Sequence, residues 1–169
     1  DEFCDTAFID EVEDILLNNP EVMSVDMHHY YFWRDKDIVL EHKGKPGKGM
    51  TLFPRVCRHS PGRVYPHCHI ARMGPVHMIP PDKRKWYHFA WVGDARAKAK
   101  FAHQPISQQG FDDWFNSTWK SLNTRDADAS PKGNPIHFVI GDLGYVKFDG
   151  KLPSYINVDQ LWEDLNNER

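Results

Sequence analysis

The sequence predicts an α/β (α+β) fold: a single domain, residues 1–169, in which a mixed central sheet with hairpins is flanked by two or three helices. Three observations support this prediction. Apolar residues recur at helical spacing in separate stretches, aromatic and β-branched runs lie between those stretches, and 169 residues suffice for one full hydrophobic core.

The first element is predicted to be a helix. An apolar stripe at spacings i, i+4, i+7 and i+8 begins just after Asp5 and Thr6, which are suited to cap a helix. Asn18, Asn19 and Pro20 end the pattern. The stripe consists of Phe8, Val12, Ile15 and Leu16.

A β-hairpin is predicted next. Residues 22–33 are rich in β-branched and aromatic side chains, residues 34–37 are polar, and residues 38–40 are Ile, Val and Leu. Two apolar runs around a short polar stretch are typical of a hairpin. We expect its turn to be centred between Asp35 and Lys36.

The middle of the chain is predicted to be a long basic loop followed by two strands. Residues 43–66 contain mainly Gly, Pro, Lys and Arg with few apolar anchors, and loops of this length are usually functional. Apolar and β-branched residues then predict strands near 64–71 and 86–92.

A second helix and a second hairpin are predicted in the C-terminal third. Phe and Trp residues at helical spacing over 111–122 indicate the helix, and residues 123–135 are expected to be a connector. Residues 136–140 and 145–148 are expected to pair across 141–144.

A last helix is predicted near the C-terminus. Asn157, with Gln160 three residues later, resembles a capping box. The apolar residues of this helix would be Leu161, Trp162 and Leu165.

The composition narrows the class of protein. No apolar run reaches the roughly 18 residues that a membrane span requires, so no membrane partner is expected. The three cysteines, Cys4, Cys57 and Cys68, do not suit a disulfide framework and favour a reducing, cytoplasmic compartment over secretion. Motifs of nucleotide-binding loops, nucleophile elbows and zincin helices are absent from the sequence.

Charge is segregated along the chain. Residues 43–100 hold 13 Lys and Arg against two acids, whereas residues 1–42 hold 12 acids against two bases. Such a basic segment is typical of a surface that binds a polyanion, and we expect nucleic acid as the partner. The alternative is that the basic segment pairs with the acidic ends of the chain. The bases expected to contact nucleic acid are Lys45, Lys48, Arg55, Arg58, Arg63, Arg72, Lys83, Arg84 and Lys85.

The sharpest local pattern is an apolar strand that ends in Glu41-His42-Lys43. Glu41 and Lys43 are two residues apart, so on a strand they project from the same face. In the predicted hairpin, Asp26 would lie within one or two residue pairs of Lys43. We therefore expect Asp26, Glu41 and Lys43 to share one end of the hairpin as catalytic residues.

Two carboxylates beside a lysine suit hydrolysis of a phosphodiester, because carboxylate oxygens hold Mg²⁺ and an amine stabilises the developing charge. The order of helix, hairpin with Asp and then Glu-x-Lys, strand, helix and strand over residues 6–140 resembles the PD-(D/E)XK nuclease superfamily. The resemblance implies a Mg²⁺-dependent nuclease with Asp26 and Glu41 as metal ligands. Glu11 matches the additional carboxylate that some members take from their first helix, and Asp37 is the alternative first acid.

A second cluster of ligand-type side chains lies between residues 57 and 69. A tetrahedral Zn²⁺ site needs four ligands, and this segment can supply them. Zn²⁺ is therefore a second cofactor hypothesis, and the alternative is that these histidines are catalytic or simply polar. The four candidate ligands are Cys57, His59, Cys68 and His69.

Histidine chemistry gives a metal-independent hypothesis. His67 and His69 would act as acid and base on the 2′-hydroxyl and leaving oxygen of RNA, with His88 and Lys85 or Arg84 as further candidates. Aromatic faces for unpaired bases would come from strand residues, although such residues are more often core. These aromatic residues are Phe32, Trp33, Trp86 and Tyr87.

A last hypothesis involves no chemistry. The pattern His-Phe followed by Gly-Asp occurs at residues 88–94 and again at 137–142. This echo is faintly similar to the repeats of hemopexin-like propellers, and repeats of that length can form propeller blades. On this hypothesis the chain is a secreted or surface binding module.

Overall fold

A computed structural model describes residues 2–45, 56–59, 74–83, 85–101, 107–121, 124 and 143–167. Within these residues the secondary structure is mixed α/β, which confirms the predicted class. The strands are Glu2–Cys4 (β1), Ser24–Asp26 (β2), Tyr30–Arg34 (β3), Ile38–His42 (β4), Val56–Cys57 (β5), Val76–Met78 (β6), Trp86–Val92 (β7) and Leu143–Lys147 (β8). The helices are Thr6–Asn18 (α1), Asp94–Phe101 (α2), Gln108–Trp114 (α3) and Val158–Asn167 (α4), with a 3-10 turn at Pro81–Lys83 and a π-helical segment at Phe115–Trp119.

The described strands form two mixed sheets. The larger has the order β1-β7-β3-β4-β8, in which β3 and β7 are parallel and the other neighbours are antiparallel. The smaller has the order β5-β2-β6. In the β3–β4 hairpin Tyr31 lies opposite Leu40 and Phe32 opposite Val39, which confirms the predicted centre of the turn.

Helix α1 forms where the apolar stripe predicts it. The Asp5 carboxylate accepts a hydrogen bond of 3.0 Å from the Ala7 amide and caps the first turn. Phe8 and Val12 are buried in one cluster with Val25 and Ile79 of the smaller sheet region. The helix therefore holds the smaller sheet to the rest of the core.

A β-bulge divides the side chains of β7 between the two faces of the larger sheet. Tyr31 pairs with His88 but Trp33 pairs with Trp91, so two residues of β3 oppose three of β7. Phe89 consequently packs with Phe32 on one face, whereas Trp91 packs with Trp33 on the other. We call these the α4 face and the α3 face, because Trp162 of α4 packs on the first and Trp114 of α3 on the second.

Two predictions about the N-terminal half are wrong in detail. Residues 22–33 do not form one strand, because β2 belongs to the smaller sheet and only β3 enters the hairpin. The predicted loop 43–66 includes the short strand β5, which pairs with β2. The remainder of that loop from residue 46 to 55 and from 60 onward lies outside the described residues, as does most of the predicted strand 64–71.

The C-terminal predictions are confirmed in part, and one is wrong. Leu143 and Gly144, which are expected in the turn 141–144, belong to β8, which pairs with β4. The helix predicted at 111–122 begins at Gln108 and continues into the π-helical segment, and α4 is capped as predicted, with the Gln160 amide donating to Asn157 Oδ1 at 3.1 Å. The arm 136–140 of the second hairpin and most of the connector 123–135 lie outside the described residues. None of the helices described here is long and apolar enough to cross a membrane.

Candidate functional site

An open groove of about 400 Å³ lies along the β4–β8 pair, at the end where β4 finishes. It brings together two of the three predicted catalytic residues, Glu41 and Lys43, with the predicted phosphate contact Lys45. The residues that line it are Glu41, His42, Lys43, Gly44, Lys45, Gly144, Tyr145 and Val146.

Strand alternation sets the direction of the Glu41 side chain. Val39 packs in the core on the α4 face, so Glu41, two residues later, projects to the same side. Glu41 is only 7% exposed, whereas Lys43, the first residue after β4, is exposed. A nearly buried Glu41 and an exposed Lys43 thus lie at neighbouring positions of one groove.

Gly144 of β8 lies directly opposite Glu41 of β4. A Cβ at this position would be 3.2 Å from Lys43 Cε and 3.3 Å from Lys43 Cγ, closer than ordinary van der Waals contact. The aliphatic part of Lys43 therefore lies against the bare backbone of Gly144. This contact fixes the path of the lysine side chain beside Glu41.

A tight turn after β4 brings Lys45 into the same groove. The Lys45 amide donates to the His42 carbonyl at 3.0 Å, and Gly44 has a φ of 70°. A positive φ at the third position of a turn favours glycine, which adopts it without steric cost. Gly44 and Lys45, at the start of the predicted loop, therefore lie in a tight turn.

Asp26 lies elsewhere, and the prediction that it shares the end of the hairpin is wrong. It ends β2 in the smaller sheet, is 1% exposed and accepts a hydrogen bond of 2.8 Å from the Met27 amide. Residues 27–29, all buried, carry the chain from the smaller sheet to β3. Asp37, the alternative first acid, precedes β4 at the opposite end of that strand from the groove.

Glu11, the predicted additional carboxylate, has an ion pair within the protein. Its Oε2 is 3.2 Å from Nζ of Lys85, which was itself a predicted nucleic-acid contact. Both line a second open groove of about 510 Å³ on α1, together with Asp10 and Asp14. The lining of this second groove shares no residue with that of the first.

The predicted nucleic-acid contacts fall into several environments. Lys45 lines the groove, and Lys83 is exposed on the 3-10 turn. Arg58 instead donates to the carbonyl oxygens of Leu16, Asn19 and Val22 at the C-terminal end of α1. The other predicted contacts lie outside the described residues: Lys48, Arg55, Arg63, Arg72 and Arg84.

The candidate zinc ligands are only partly described. Cys57 is a half-buried cysteine on β5, and His59 is exposed two residues later. Cys68, His67 and His69 lie outside the described residues. In the parts of the chain that are described, no group of three or more His, Cys, Asp or Glu side chains is placed to hold a metal ion.

His88 and the candidate stacking residues belong to the packed sheet. His88 Nε2 lies 3.6 Å from Glu2 Oε1, and its ring meets the Tyr31 ring edge to face at 4.6 Å. Three of the candidate stacking residues lie in the hydrophobic core, where aromatic residues of strands are usually found. Phe32 is 0%, Trp33 1% and Tyr87 5% exposed. Trp86 is half-buried and stacks on the imidazole of His29.

The repeat-like echo does not correspond to two similar hairpins. Gly93 and Asp94 follow β7 but begin helix α2 rather than a returning strand. The second copy at 137–142 lies outside the described residues. The mixed, helix-flanked sheet gives the hemopexin-like hypothesis no support.

Gly144 and Tyr145 are the groove residues that sequence reasoning missed. The sequence contains the pair in an apolar run, but its role depends on β8 pairing with β4, which are more than 100 residues apart in the chain. The sequence predicts Gly144 in the turn 141–144, whereas it lies within β8, so no local signal marked it as a strand residue.

Comparisons with protein-family models, with curated proteins and with solved structures find no match for this chain. The resemblance to PD-(D/E)XK nucleases therefore rests on the residues alone. Any function proposed for the groove has to follow from its own geometry.

Proposed function

We propose that this chain is a nucleic-acid phosphodiester hydrolase that acts in the groove along β4 and β8. The observation that carries the proposal is the juxtaposition of Glu41 and Lys43, with the lysine stem held against Gly144. A carboxylate and an ammonium group beside one open cleft are the groups that phosphodiester hydrolysis needs for proton transfer and for stabilising negative charge.

The two lysines of the groove would bind the phosphate. Lys43 is exposed and would place its ammonium group on the phosphate that is cut, where negative charge increases in the transition state. Lys45 is also exposed, and the turn at Gly44 brings it to the same groove, where it would hold a neighbouring phosphate. A lysine suits this role because it acts as a point charge.

Glu41 would orient the attacking water and accept its proton. Its carboxylate is nearly buried, so few solvent molecules compete for it. A positioned carboxylate of this kind typically contributes roughly 100-fold or more to the rate. Asp26 is no part of this proposal, since it lies in the other sheet.

Mg²⁺ fits the groove as an ion shared with the substrate. Among the described lining residues Glu41 is the carboxylate, and Mg²⁺ is commonly bound through one or two carboxylates together with substrate phosphates and waters. When bound, such an ion would polarise the phosphate. Glu41 would be the residue of this chain that holds it.

The basic segment favours nucleic acid as the substrate. Lys43, Lys45 and Lys83 are exposed members of that segment. Lys85 forms an ion pair with Glu11 of the acidic N-terminal segment, so part of the basic segment is neutralised within the protein. Bases of this kind bind a phosphate backbone by releasing counterions.

The test is cleavage of end-labelled single- and double-stranded DNA and RNA, with Mg²⁺ and with EDTA. We expect the wild-type chain to cut at least one substrate with Mg²⁺. Glu41→Gln should lower the rate about 100-fold or more and Lys43→Met by a similar factor. Lys147→Met is the matched control, because Lys147 is exposed on β8 opposite Ile38, at the far end of the strand pair.

Two results would overturn the proposal. One is a wild-type chain that cuts none of the four substrates, and the other is a Glu41→Gln variant that cuts as fast as the wild type. RNA cleavage that persists in EDTA and in Glu41→Gln but is lost in His67→Ala or His69→Ala would favour the histidine-based RNase instead.

A further inference from the structure

Two lysines from separate elements converge on one aromatic ring. Lys98 of α2 has its Nζ 5.1 Å from the centre of the Phe115 ring, and Lys120, just after the π-helical segment, has its Nζ 5.3 Å from the same centre. Because both distances are measured to the same ring centre, the two ammonium groups can be no farther apart than the sum of the two distances. Phe115 is 4% exposed, whereas both lysines are exposed.

Neither lysine forms an ion pair with any residue in the described part of the chain. A third cation, Arg34, lies at the same place, and its guanidinium donates to the carbonyl oxygens of Trp119 at 2.8 Å and Lys120 at 3.4 Å. The nearby Asp94 carboxylate accepts a hydrogen bond from Trp119 Nε1 at 2.8 Å. Three cationic side chains and the Asp94 carboxylate therefore lie around the end of the π-helical segment.

Two uncommon backbone features coincide with this cluster. Phe115–Trp119 is a π-helical segment, a conformation that is rare and frequently found at functional sites. Arg34 has a φ of 63°, the left-handed value that non-glycine residues rarely adopt. Residues held in such conformations cluster at binding sites, where the surrounding structure maintains them.

The Phe115 ring attracts each cation but cannot remove the repulsion between them. A cation–π contact at an exposed site is weak, and two like charges beside one ring repel each other. An anion that contacts both ammonium groups would replace this repulsion with attraction. Phosphate groups suit two lysines, since a lysine binds phosphate as a point charge.

We propose that Lys98 and Lys120 form a second anion site, which binds phosphate groups. Phe115 and Trp119 pack on the α3 face, whereas Glu41 projects to the α4 face, so this site is separate from the groove. The phosphates come either from a free oligophosphate or from the backbone of a nucleic acid. Both sources present the same chemistry to the two lysines.

The test is calorimetric titration of the whole chain with tripolyphosphate and, in a second arm in EDTA, with a short single-stranded oligonucleotide. The Lys98→Met/Lys120→Met variant keeps the stems that cover Phe115 and removes both charges. We expect it to weaken binding of at least one of the two ligands by roughly tenfold. The matched control is Lys147→Met/Lys151→Met, which removes two exposed charges elsewhere and should change affinity less than twofold.

The arms identify the source of the phosphate. Loss of tripolyphosphate affinity assigns the site to a free oligophosphate, and loss confined to the oligonucleotide assigns it to a nucleic-acid backbone. Lys98→Arg/Lys120→Arg should bind the same ligands as the wild type. This result would show that the methionine variant binds more weakly because it lacks the two charges, and not because it is misfolded. Equal affinity of the methionine variant and the control for both ligands, or no binding by the wild type, would overturn the proposal.

The binding test of the second anion site can succeed or fail independently of the cleavage test of the proposed hydrolase. Glu41→Gln should lose cleavage and keep the wild-type affinity for tripolyphosphate, whereas Lys98→Met/Lys120→Met should bind at least one of the two ligands roughly tenfold more weakly and still cut a dinucleotide at the wild-type rate. A variant pair that loses both activities together would contradict the separation of the two sites.

Discussion

The side chain of Arg58, which the sequence predicts as a nucleic-acid contact, binds backbone carbonyl groups of the protein. Arg58 belongs to the basic segment, yet its guanidinium donates to the carbonyl oxygens of Leu16 in the last turn of α1 and of Asn19, the C-cap, and also to that of Val22 between α1 and β2. The last carbonyls of a helix have no partners within the helix, and a cation also interacts favourably with the negative end of the helix dipole. These contacts account for Arg58 without a nucleic acid.

Arg58→Met should therefore destabilise the fold rather than weaken nucleic-acid binding. Hydrogen bonds that involve a charged group contribute about 1.5–3 kcal/mol each, and we expect a loss of about 2 kcal/mol in the free energy of unfolding, measured by urea denaturation. Lys83→Met, at an exposed position, should change it by less than about 0.5 kcal/mol. If Arg58→Met keeps the wild-type stability but binds nucleic acid more weakly, Arg58 is a nucleic-acid contact, as the sequence predicts.

Tyr145 should make stability depend on alkaline pH. Burial raises the pKa of its hydroxyl, an effect that the positive charge of Arg34 opposes only in part. The unfolded chain releases this proton near pH 10 while the folded chain retains it, so stability is fully present below about pH 10 and is lost as the pH rises toward the folded-state pKa.

The corresponding measurement is urea unfolding of the wild type and of Tyr145→Phe at pH 8 and at several values above pH 10. One retained proton costs at most about 1.4 kcal/mol per pH unit. The wild type should lose stability more steeply than Tyr145→Phe above pH 10, and the two should run parallel below it. Parallel curves over the whole range would contradict a buried, protonated Tyr145.

At the scale of elements, the groove depends on how β4 and β8 approach each other. Glu41 and Gly144 are opposite one another, and the absence of a side chain on Gly144 leaves the space in which Lys43 lies. The φ of Gly144 is not among the positive values of the chain, so its backbone accepts an L side chain. The constraint at this position is the contact with Lys43.

Gly144→Ala should lower cleavage while leaving the fold stable. The new Cβ would approach Lys43 Cε and Cγ to about 3.2 Å and displace the side chain by a few tenths of an ångström. Small misplacements of a catalytic group cost large factors, and we expect a roughly tenfold loss in single-turnover rate. Val146→Ala, on the same face of β8, is the control and should cut nearly normally. If Gly144→Ala cuts at the wild-type rate, the position of the Lys43 side chain against Gly144 is not required for cleavage.

The elements that local signals define could be predicted, and those that depend on distant pairing could not. Helix α1 follows from its stripe and its Asp5 cap, and the β3–β4 register follows from two apolar runs around a short turn. Helix α2 was missed because its sequence, DARAKAKF, has few apolar residues with which to show a period. Strands β1 and β6 are three residues long, too short for alternation to be visible.

The candidate site was predictable to the same degree. Strand geometry predicts Glu41 and Lys43 on one face, but β4 ends at His42 and Lys43 lies in the turn that follows; both residues line the groove. Asp26 was misplaced because nothing local marks the point at which buried residues 27–29 take the chain from one sheet to the other. Gly144 could not be connected with Lys43 because the two meet only through the long-range pairing of β4 and β8.

For the whole molecule, the question is how the segregated charge is distributed once the chain is folded. The acidic N-terminal segment neutralises part of the basic segment through Glu11 and Lys85, and it pairs with the C-terminal segment through Lys36 and Asp159 at 2.5 Å. Lys43 and Lys45 remain exposed at the groove. Folding thus places both lysines in the groove that Glu41 also lines.

Binding of single-stranded nucleic acid in EDTA should weaken with salt. The logarithm of affinity is expected to fall with the logarithm of salt concentration by about 0.7 for each phosphate contact, and Lys45→Met should reduce that slope by about this amount. Fluorescence anisotropy with a labelled oligonucleotide measures it. Lys36→Met, whose amine is paired with Asp159, should leave the slope unchanged. An unaltered slope in Lys45→Met would remove this lysine from the binding surface.

The central claim is that Glu41 and Lys43 act together on one phosphodiester, and a double-mutant cycle on the single-turnover cleavage rate tests it most directly. Groups that act as a unit in catalysis have strongly non-additive effects. We predict that Glu41→Gln/Lys43→Met cuts about as slowly as the slower single variant. Losses that multiply in the double variant would mean that the two residues act independently, and would contradict a shared site in the groove.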